Sequence, residues 1–358
     1  MVCGKYRYFF RNDKDFRNFV AMIDSREKRI ETFVRLGVQL ASFGQDAVSG
    51  WVVAEACREN AWFTPSDVFR AVEAIRSEML GEENLRRWIS SYPLLPVTRP
   101  RNVGLIAAGN IPLVGFFDLL CVLLSGHRCL LKPSSKDRVL MEYVVAQLRQ
   151  FEPGIPVYPY MGTEPLDAVI ATGSDNTNRY FRSRYKGIPA LFRGSRASVA
   201  VLSGEENDAT LDLLAEDIFP YSGLGCRNVS RLLVPGEYDL AALLGRLSEF
   251  PVPNPRYRNN YLQRRALLAM QGEPFLDGGF FLMRECDQWP SSVSEITVSR
   301  YERVEQIAEW LSSREERIQC VVSALSVHSR AVPFGRAQRP SLTDYPDGAD
   351  VPVFLSEI

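Results

Sequence analysis

The chain has 358 residues, enough for two or three domains, with 46% apolar residues, 24% charged residues and a formal net charge of -1. This ordinary composition predicts a soluble globular protein, and the near-neutral charge argues against binding to nucleic acid or to an anionic membrane surface. Seven cysteines without a secretory leader indicate reduced thiols in the cytoplasm, and two histidines without a C-x-x-C pair argue against a metal site.

The N-terminal quarter of the chain is predicted to be helical. Residues 14–91 carry apolar side chains at a spacing of three and four, and we predict four helices there. Thr64 or Ser66 is the expected N-cap of the third helix. This region contains few groups with chemistry and is interpreted as scaffold. Three prolines between residues 91 and 101 then break the helical period.

From residue 102 onward, short apolar strands alternate with longer helices, which is typical of a parallel α/β sheet. A strand at 102–108 is followed by a helix at 111–126, which we interpret as buried rather than membrane-spanning because it contains Asp118 and is too short for a span. The other predicted strands are 128–132, 155–160, 167–172, 190–194, 198–204, 231–234, 278–283, 294–299 and 318–325. The tail, residues 331–358, is predicted to be loop.

Cys226 is the first candidate for chemistry. It follows two glycines in "GLGCRN", which we predict to form a tight turn leading into a turn of helix and then a strand. A free thiol has a pKa of about 8.5, and a helix N-terminus or the adjacent Arg227 would favour the thiolate. The residues alone allow a nucleophile or a small buried side chain. The motif is not a dinucleotide fingerprint, because Asn228 replaces its third glycine and no buried strand precedes it.

Two polar residues come directly after predicted strands. Asn110 follows the first strand, where its amide would donate to an oxyanion or, alternatively, cap the helix in whose first turn Pro112 lies. Lys132 ends the next strand. Its side chain is interpreted either as a contact to a cofactor or as a solvated group at the strand end. The carboxyl ends of parallel strands face the ligand crevice of such a sheet, and both residues therefore become binding candidates.

A third strand leads into Thr172, Gly173 and Ser174, which precede a predicted helix. Backbone N–H groups and a hydroxyl at a helix start form a phosphate site. A capped turn without a ligand explains the same residues.

The order of these motifs resembles the aldehyde dehydrogenase superfamily, and "ATGSDNTNRYF" and "GLGCRNVSRL" resemble its fatty acyl-CoA reductases of the bacterial luminescence (Lux) type. The similarity runs from about residue 100 to the C-terminus. It implies that Cys226 is the nucleophile and that Asn110 is the oxyanion donor. It also implies a cofactor site in which Lys132 contacts the ribose and Gly173 and Ser174 contact the phosphates. The other residues implied to bind the cofactor are Ser134, Ser135, Lys136 and Thr172. "PFGRAQ" resembles the late Pro-Phe-Gly element, which places Phe334 and Gly335 in the active-site region.

Departures from the superfamily pattern refine the expected activity. Aldehyde-oxidising members have a glutamate that activates water, and Phe192 occupies its place here. Many NAD-using relatives have an acid where this chain has Ser135, followed by Lys136, and the exchange favours NADP. Glu295 is a candidate for the later Glu-Ile-Phe-Gly-Pro element, although the alignment is open. The chain is also short, which predicts that the oligomerisation hairpin is reduced or missing.

The resemblance implies an α/β, aldehyde-dehydrogenase-like fold with a helical N-terminal region (1–96), a Rossmann-like NAD(P)-binding domain (97–202 with part of 326–358) and a catalytic α/β domain (203–325). The implied function is reduction of an acyl-CoA, with a fatty acyl group, to an aldehyde by NADP(H), with NAD(H) as the alternative. Coenzyme A is then the substrate carrier. The implied partners are a second copy of the chain or a fatty-acid-activating enzyme. The alternatives are a reductase of another activated acyl group and a non-catalytic scaffold subunit of a fatty-acid reductase complex.

Overall fold

The structure is a computed structural model that describes residues 13–92, 99–251 and 254–358, with side chains from residue 26 onward. The chain forms two compact units. The first contains the residues up to Ala56, Ala71–Gly194 and Ala349–Ile358, and the second contains Cys57–Arg70 and Ser195–Gly348. Assignment of cofactor binding and catalysis to separate domains, with a boundary at residue 202, stays a prediction.

The four helices predicted for the N-terminal region are present. They are α1 (Asp13–Leu40), α2 (Ala47–Glu59), α3 (Pro65–Ala74) and α4 (Glu82–Ser90), and α3 continues into a turn of π-helix at Ile75–Met79. Thr64, rather than Ser66, caps α3. Its Oγ1 accepts a hydrogen bond from the Asp67 backbone at 3.1 Å and donates one to the Asp67 carboxylate at 2.7 Å. This reciprocal arrangement satisfies N–H groups that the first turn leaves unpaired.

The first unit contains a five-stranded sheet in the order β3-β2-β1-β4-β5, and its pairings are parallel. The strands are β1 (Asn102–Ile106), β2 (Arg128–Lys132), β3 (Val157–Pro159), β4 (Ala168–Thr172) and β5 (Ala190–Arg193), and the helices between them are α5 (Phe116–Leu124), α6 (Arg138–Phe151) and α7 (Asp175–Arg184). β2 and β3 lie on one side of β1, and β4 and β5 lie on the other side. The strand order therefore reverses between β1 and β4, which is where ligands bind in open α/β sheets.

The second unit contains a seven-stranded sheet in the order β12-β11-β6-β7-β10-β9-β8, parallel except for the β8–β9 pair. Its strands are β6 (Ala197–Val201), β7 (Val229–Pro235), β8 (Leu276–Asp277), β9 (Leu282–Glu285), β10 (Glu295–Tyr301), β11 (Ile318–Val322) and β12 (Ala331–Val332). Its helices are α8 (Asp208–Ile218), α9 (Leu240–Leu247), α10 (Pro255–Gln271) and α11 (Val304–Ser312). An aromatic and aliphatic core that includes Phe219, Phe281 and Leu232 packs α8 and α9 against the sheet.

Two predicted elements begin well away from the expected residue. The helix expected at 111–126 begins only at Phe116, because Leu113 has a left-handed φ of 56° and residues 110–115 form bends and turns. The strand expected at 278–283 is shifted, because Gly279 has a φ of 82° and forms a turn between β8 and β9. The apolar pattern alone would continue the helix back to Ile111 and the strand through Gly279. A single left-handed residue prevents each of these.

The tail predicted as loop also contains a helix, α12 (Val351–Ser356). Asp350 caps it, accepting a hydrogen bond from the Val353 backbone at 3.0 Å. His127, which is buried, accepts a hydrogen bond at Nδ1 from the Arg101 backbone and donates one from Nε2 to the Leu355 carbonyl at 2.9 Å. Burial lowers the pKa of His127, so this histidine is a neutral structural link.

No helix in the described part of the chain combines the length and the apolar character that a membrane crossing requires. Within the same residues, no group of three or more His, Cys, Asp or Glu side chains is placed to hold a metal ion.

Candidate active site

Three of the predicted motifs lie at one edge of the first sheet. Ile106, at the end of β1, lies opposite Lys132 of β2, and it also pairs with Ala171 of β4. The loops that leave these three strands carry Asn110, residues 132–136 and residues 172–174. This edge contains the reversal of strand order, and the three loops therefore border the position expected for a bound ligand.

Asn110 is exposed and lies in the loop between β1 and α5. The alternative that it caps a helix is wrong, because Gly115 holds the N-cap position of α5 and Pro112 precedes the helix instead of lying in its first turn. Asn110 therefore lies in a loop and not at a helix start. Its role as an oxyanion donor stays a prediction.

A buried carboxyl group holds that loop. Asp137 is 2% exposed, and its Oδ2 accepts a hydrogen bond from the Leu113 backbone at 2.9 Å. Burial raises the pKa of Asp137 well above its ordinary value, partly opposed by this hydrogen bond. Asp137 occupies the N-cap position of α6, but its side chain contacts the Asn110 loop instead of its own helix.

The loop after β2 packs closely on the loop after β1. A Cβ atom at Gly109 would lie 2.6 Å from Ser134 Oγ and 3.1 Å from Lys136 Cβ, so only glycine fits there. Ser134 Oγ in turn accepts a hydrogen bond from the Lys136 backbone at 3.3 Å. Lys132, Ser135 and Lys136 are exposed at this edge. Their side chains therefore face solvent, where a ligand would bind.

Ser174 caps α7 at the third loop. Its Oγ accepts a hydrogen bond from the Thr177 backbone at 3.4 Å and lies 2.9 Å from Thr177 Oγ1. A Cβ atom at Gly173 would meet Thr177 Cγ2 at 2.9 Å, and Thr172 ends β4. The capped turn is thus present, and the exposed N-terminus of a ten-residue helix remains suited to an anion.

Cys226 lies in the second unit, half-buried, in a turn closed by a hydrogen bond from the Asn228 backbone to the Gly225 carbonyl at 3.1 Å. The expected helix after Cys226 is wrong: in the described residues that follow, β7 begins at Val229. A helix N-terminus after Cys226 therefore does not act on the thiol. A three-residue left-handed stretch precedes it, with φ values of 56°, 55° and 67° at Tyr221, Ser222 and Gly223.

Hydrogen bonds fix the backbone on the far side of Cys226. Ser198 Oγ donates to the Cys226 carbonyl at 2.9 Å, and Arg227 Nε donates to the Ala337 carbonyl at 2.6 Å. The second contact joins the cysteine turn to the segment that follows Phe334 and Gly335. The structure therefore brings two of the motifs named from the resemblance together within the second unit.

Asp217, at the end of α8, anchors the same segment. It is fully buried, and its carboxylate accepts hydrogen bonds from the backbones of Gly335 at 2.6 Å and Ala337 at 2.8 Å. Burial raises the pKa of Asp217 to about 7, and the two hydrogen bonds and Arg227 oppose this increase. The local sequence around Asp217 is an ordinary amphipathic helix, so sequence reasoning missed this residue.

Three other residues, His328, Glu295 and Phe192, have structural partners. His328 contacts Glu315 through Nε2 at 2.7 Å and accepts the Arg330 backbone N–H at Nδ1. Glu295 is 1% exposed and forms ion pairs with two arginines at 2.6–2.7 Å. Phe192 stacks on Phe181 in an apolar cluster of the first unit.

Comparison with known proteins identifies the family. The model of the LuxC acyl-CoA reductases matches residues 70–249, half of the chain, a range that includes Cys226 and the three loops of the first sheet. No curated protein matches the chain.

Solved structures share the fold. Aldehyde dehydrogenase 21 from Physcomitrella patens, in complex with the product succinate, has a TM-score of 0.64 at 12% identity over 93% of this chain and 84% of its own. An acetylating aldehyde dehydrogenase from Geobacillus thermoglucosidasius has a TM-score of 0.58 at 13% identity over 93% and 92%. Betaine aldehyde dehydrogenase from Staphylococcus aureus, in complex with NAD+, has a TM-score of 0.60 at 14% identity over 88% and 72%. These likenesses confirm the expected α/β, aldehyde-dehydrogenase-like fold. The family match shows that the chain belongs to the LuxC acyl-CoA reductases, enzymes that reduce acyl groups to aldehydes.

Proposed function

We propose that this enzyme reduces an acyl-CoA, with a fatty acyl group, to the aldehyde through a thioester on Cys226, with NADPH as the reductant. The observation that carries the proposal is the Cys226 turn. It presents a half-buried thiol on a backbone that Ser198 and Arg227 hold in place. A fixed backbone keeps an attacking sulfur and a nearby N–H group in register with a substrate carbonyl.

The Cys226 thiolate forms a bond to the acyl carbon. The negative charge that develops on the carbonyl oxygen is stabilised by the Cys226 backbone N–H and by the amide of Asn110. The bond to the coenzyme A sulfur then breaks, and coenzyme A leaves as a thiolate that takes up a proton. When bound, NADPH supplies the hydride that converts the acyl carbon to an aldehyde. The Cys226–acyl bond breaks and the thiolate is restored, so one acyl-CoA, one NADPH and one proton give one aldehyde, one coenzyme A and one NADP+.

The residues at the edge of the first sheet fit a dinucleotide. The backbones at Gly109 and Gly173 have no room for a Cβ atom, Lys132 and Lys136 are exposed cations, and the N-terminus of α7 favours phosphate. The order reversal of a parallel sheet is where dinucleotides bind. We therefore assign cofactor binding to Lys132, Ser134, Ser135, Lys136, Thr172, Gly173 and Ser174.

Charge at the end of β2 favours NADPH over NADH. Residues 132–136 contain two lysines and no acid, and the nearest carboxyl group along the chain, Asp137, is buried against the Leu113 backbone. An acid facing the ribose would bind its 2′-hydroxyl and repel a 2′-phosphate, whereas a lysine attracts the phosphate.

Replacing Lys136 with alanine is expected to raise the KM for NADPH by about tenfold and to leave the KM for NADH within about twofold, because one exposed charge pair with a phosphate is lost. Lys132→Ala is the matched control, since a ribose contact would be lost with both cofactors and both KM values would rise. Steady-state kinetics with each cofactor measure this. An equal change for both cofactors in Lys136→Ala would contradict the assignment.

The proposed reaction is tested by mixing the full-length protein with acyl-CoAs of graded chain length and NADPH. NADPH consumption, free coenzyme A and aldehyde are expected to appear in equal amounts. Formation of the free acid would show that water competes at the thioester despite Phe192. Turnover of acyl phosphates but not acyl-CoAs would favour the reductase of another activated acyl group, and no cofactor binding and no turnover would favour a scaffold subunit.

We also propose cytoplasmic localisation, supported by the odd number of cysteines, of which the six in the described residues are free thiols. A homo-oligomer or an enzyme that activates fatty acids is the proposed partner, on the resemblance alone. Light scattering of the purified protein, with and without such an enzyme, measures both.

A further inference from the structure

Asn228 is buried two residues after Cys226, with 3% of its surface exposed, and its side chain forms three hydrogen bonds to backbone groups, one in the cysteine turn and two at and just after the end of α8. Its Oδ1 accepts a hydrogen bond from the Gly225 backbone at 2.8 Å, and its Nδ2 donates to the carbonyls of Ile218 at 2.9 Å and Pro220 at 2.8 Å. We infer that Asn228 is a positioning residue that orients the backbone N–H of Cys226 toward the oxyanion, an inference that rests on the proposed thioester mechanism.

The two sides of the Cys226 peptide group show why this orientation matters. Asn228 fixes the Gly225 N–H before it, and Ser198 fixes the Cys226 carbonyl after it. The peptide plane that carries the Cys226 N–H lies between these two anchors. The Gly225 carbonyl in this plane also accepts a hydrogen bond from the Asn228 backbone at 3.1 Å. Because Gly225 has wide rotational freedom, loss of the side-chain anchor leaves the plane held on this side by that single bond, so it turns more easily. Asn228 therefore acts through the backbone and does not itself touch the substrate.

The position requires an amide side chain. One oxygen must accept a hydrogen bond while one nitrogen donates two, and among side chains of this size only asparagine does both. Aspartate has the same shape but no donor, so its carboxylate would face the carbonyls of Ile218 and Pro220. Alanine would leave three backbone groups without this partner, and the bonds lost at the Ile218 and Pro220 carbonyls are buried.

The left-handed turn before the cysteine has separate anchors. Asp67 Oδ1 accepts a hydrogen bond from the Tyr221 backbone at 2.8 Å, and Asn254 Nδ2 donates to Ser222 Oγ at 2.9 Å. Asn254 is also buried, donates to the Trp62 carbonyl and caps α10. It therefore resembles Asn228 in chemistry and burial, but its hydrogen bonds go to Trp62, Ser222 and Tyr257.

This pair allows a matched experiment with Asn228→Asp and Asn254→Asp. Both variants should lose thermal stability, because each puts a carboxylate against buried oxygen atoms. Only Asn228→Asp should lose kcat, by about 10- to 100-fold with KM changed less than about twofold, since an oxyanion donor acts mainly in the transition state. Alkylation of Cys226 by iodoacetamide should stay within about threefold of wild type, because that reaction forms no oxyanion.

The outcomes separate the two proposals. If wild-type Cys226 takes no acyl label from acyl-CoA, the thioester mechanism fails and the role of Asn228 fails with it. If wild type is labelled and Asn228→Asp is acylated as fast as Asn254→Asp, only the role of Asn228 is overturned. A parallel loss of acylation and alkylation would show a disordered turn and would also overturn it. Should Asn228→Asp not fold, Asn228→Ser is judged by the same three measurements.

Discussion

Cys226→Ser is expected to lower kcat for acyl-CoA reduction by about 10⁴-fold or more. A serine hydroxyl is a much weaker nucleophile than a thiolate and needs a base to activate it. The ring nitrogens of both histidines already bond to other groups, namely those of His127 to the Arg101 and Leu355 backbones and those of His328 to Glu315 and the Arg330 backbone. The variant should also take up no acyl label in the peptide that contains residue 226.

Cys57→Ser is the matched control, because Cys57 is also half-buried in the second unit. It should keep the activity and the labelling of wild type. If Cys226→Ser kept more than about one hundredth of wild-type kcat, or if label appeared on another cysteine, the assignment of the nucleophile would be wrong.

Removing the carboxyl group of Asp217 is expected to change how stability depends on pH. Its pKa is about 7 in the folded protein, raised mainly by burial, against an ordinary value near 4. The folded state therefore binds a proton that the unfolded state has lost. The stabilisation is fully present below about pH 4 and is lost as the pH rises through 7. Between about pH 5 and pH 8 the wild type should lose about 2 kcal/mol of unfolding free energy relative to Asp217→Asn.

Urea unfolding of both proteins across that range measures the difference. Using the difference cancels the other titrating groups, such as Glu295, whose pKa is lowered despite burial by its two arginine partners. Asp208→Asn, the same substitution at an exposed position on the same helix, is measured alongside as the control. A flat curve for Asp217→Asn, or an increase of wild-type stability with pH, would contradict a raised pKa at Asp217.

The order of the family motifs predicted the site better than the local secondary structure expected around each motif. The order of Asn110, Lys132, Gly173-Ser174 and Cys226 predicted the fold and the enzyme class, which the family match confirms. The helix expected after Cys226 and the helix start expected at Ile111 were wrong. The second error comes from Leu113, because a non-glycine residue with a left-handed φ leaves no signal in an apolar pattern. After Cys226 the turn is closed at Asn228 and β7 begins at Val229, so there is no room for a helix.

The sequence by itself determined the alternation of strands and helices and the residue types available for chemistry, because apolar periodicity and strand-end position are local properties. Only the tertiary structure decided which groups hold those residues in place. Asp137 supports the Asn110 loop, Asp217 supports residues 335–337, and Asn228 closes the cysteine turn. Each of these contacts depends on how distant or oppositely directed backbone groups meet in a buried space, where a polar group must find a partner, and no spacing along the chain encodes that.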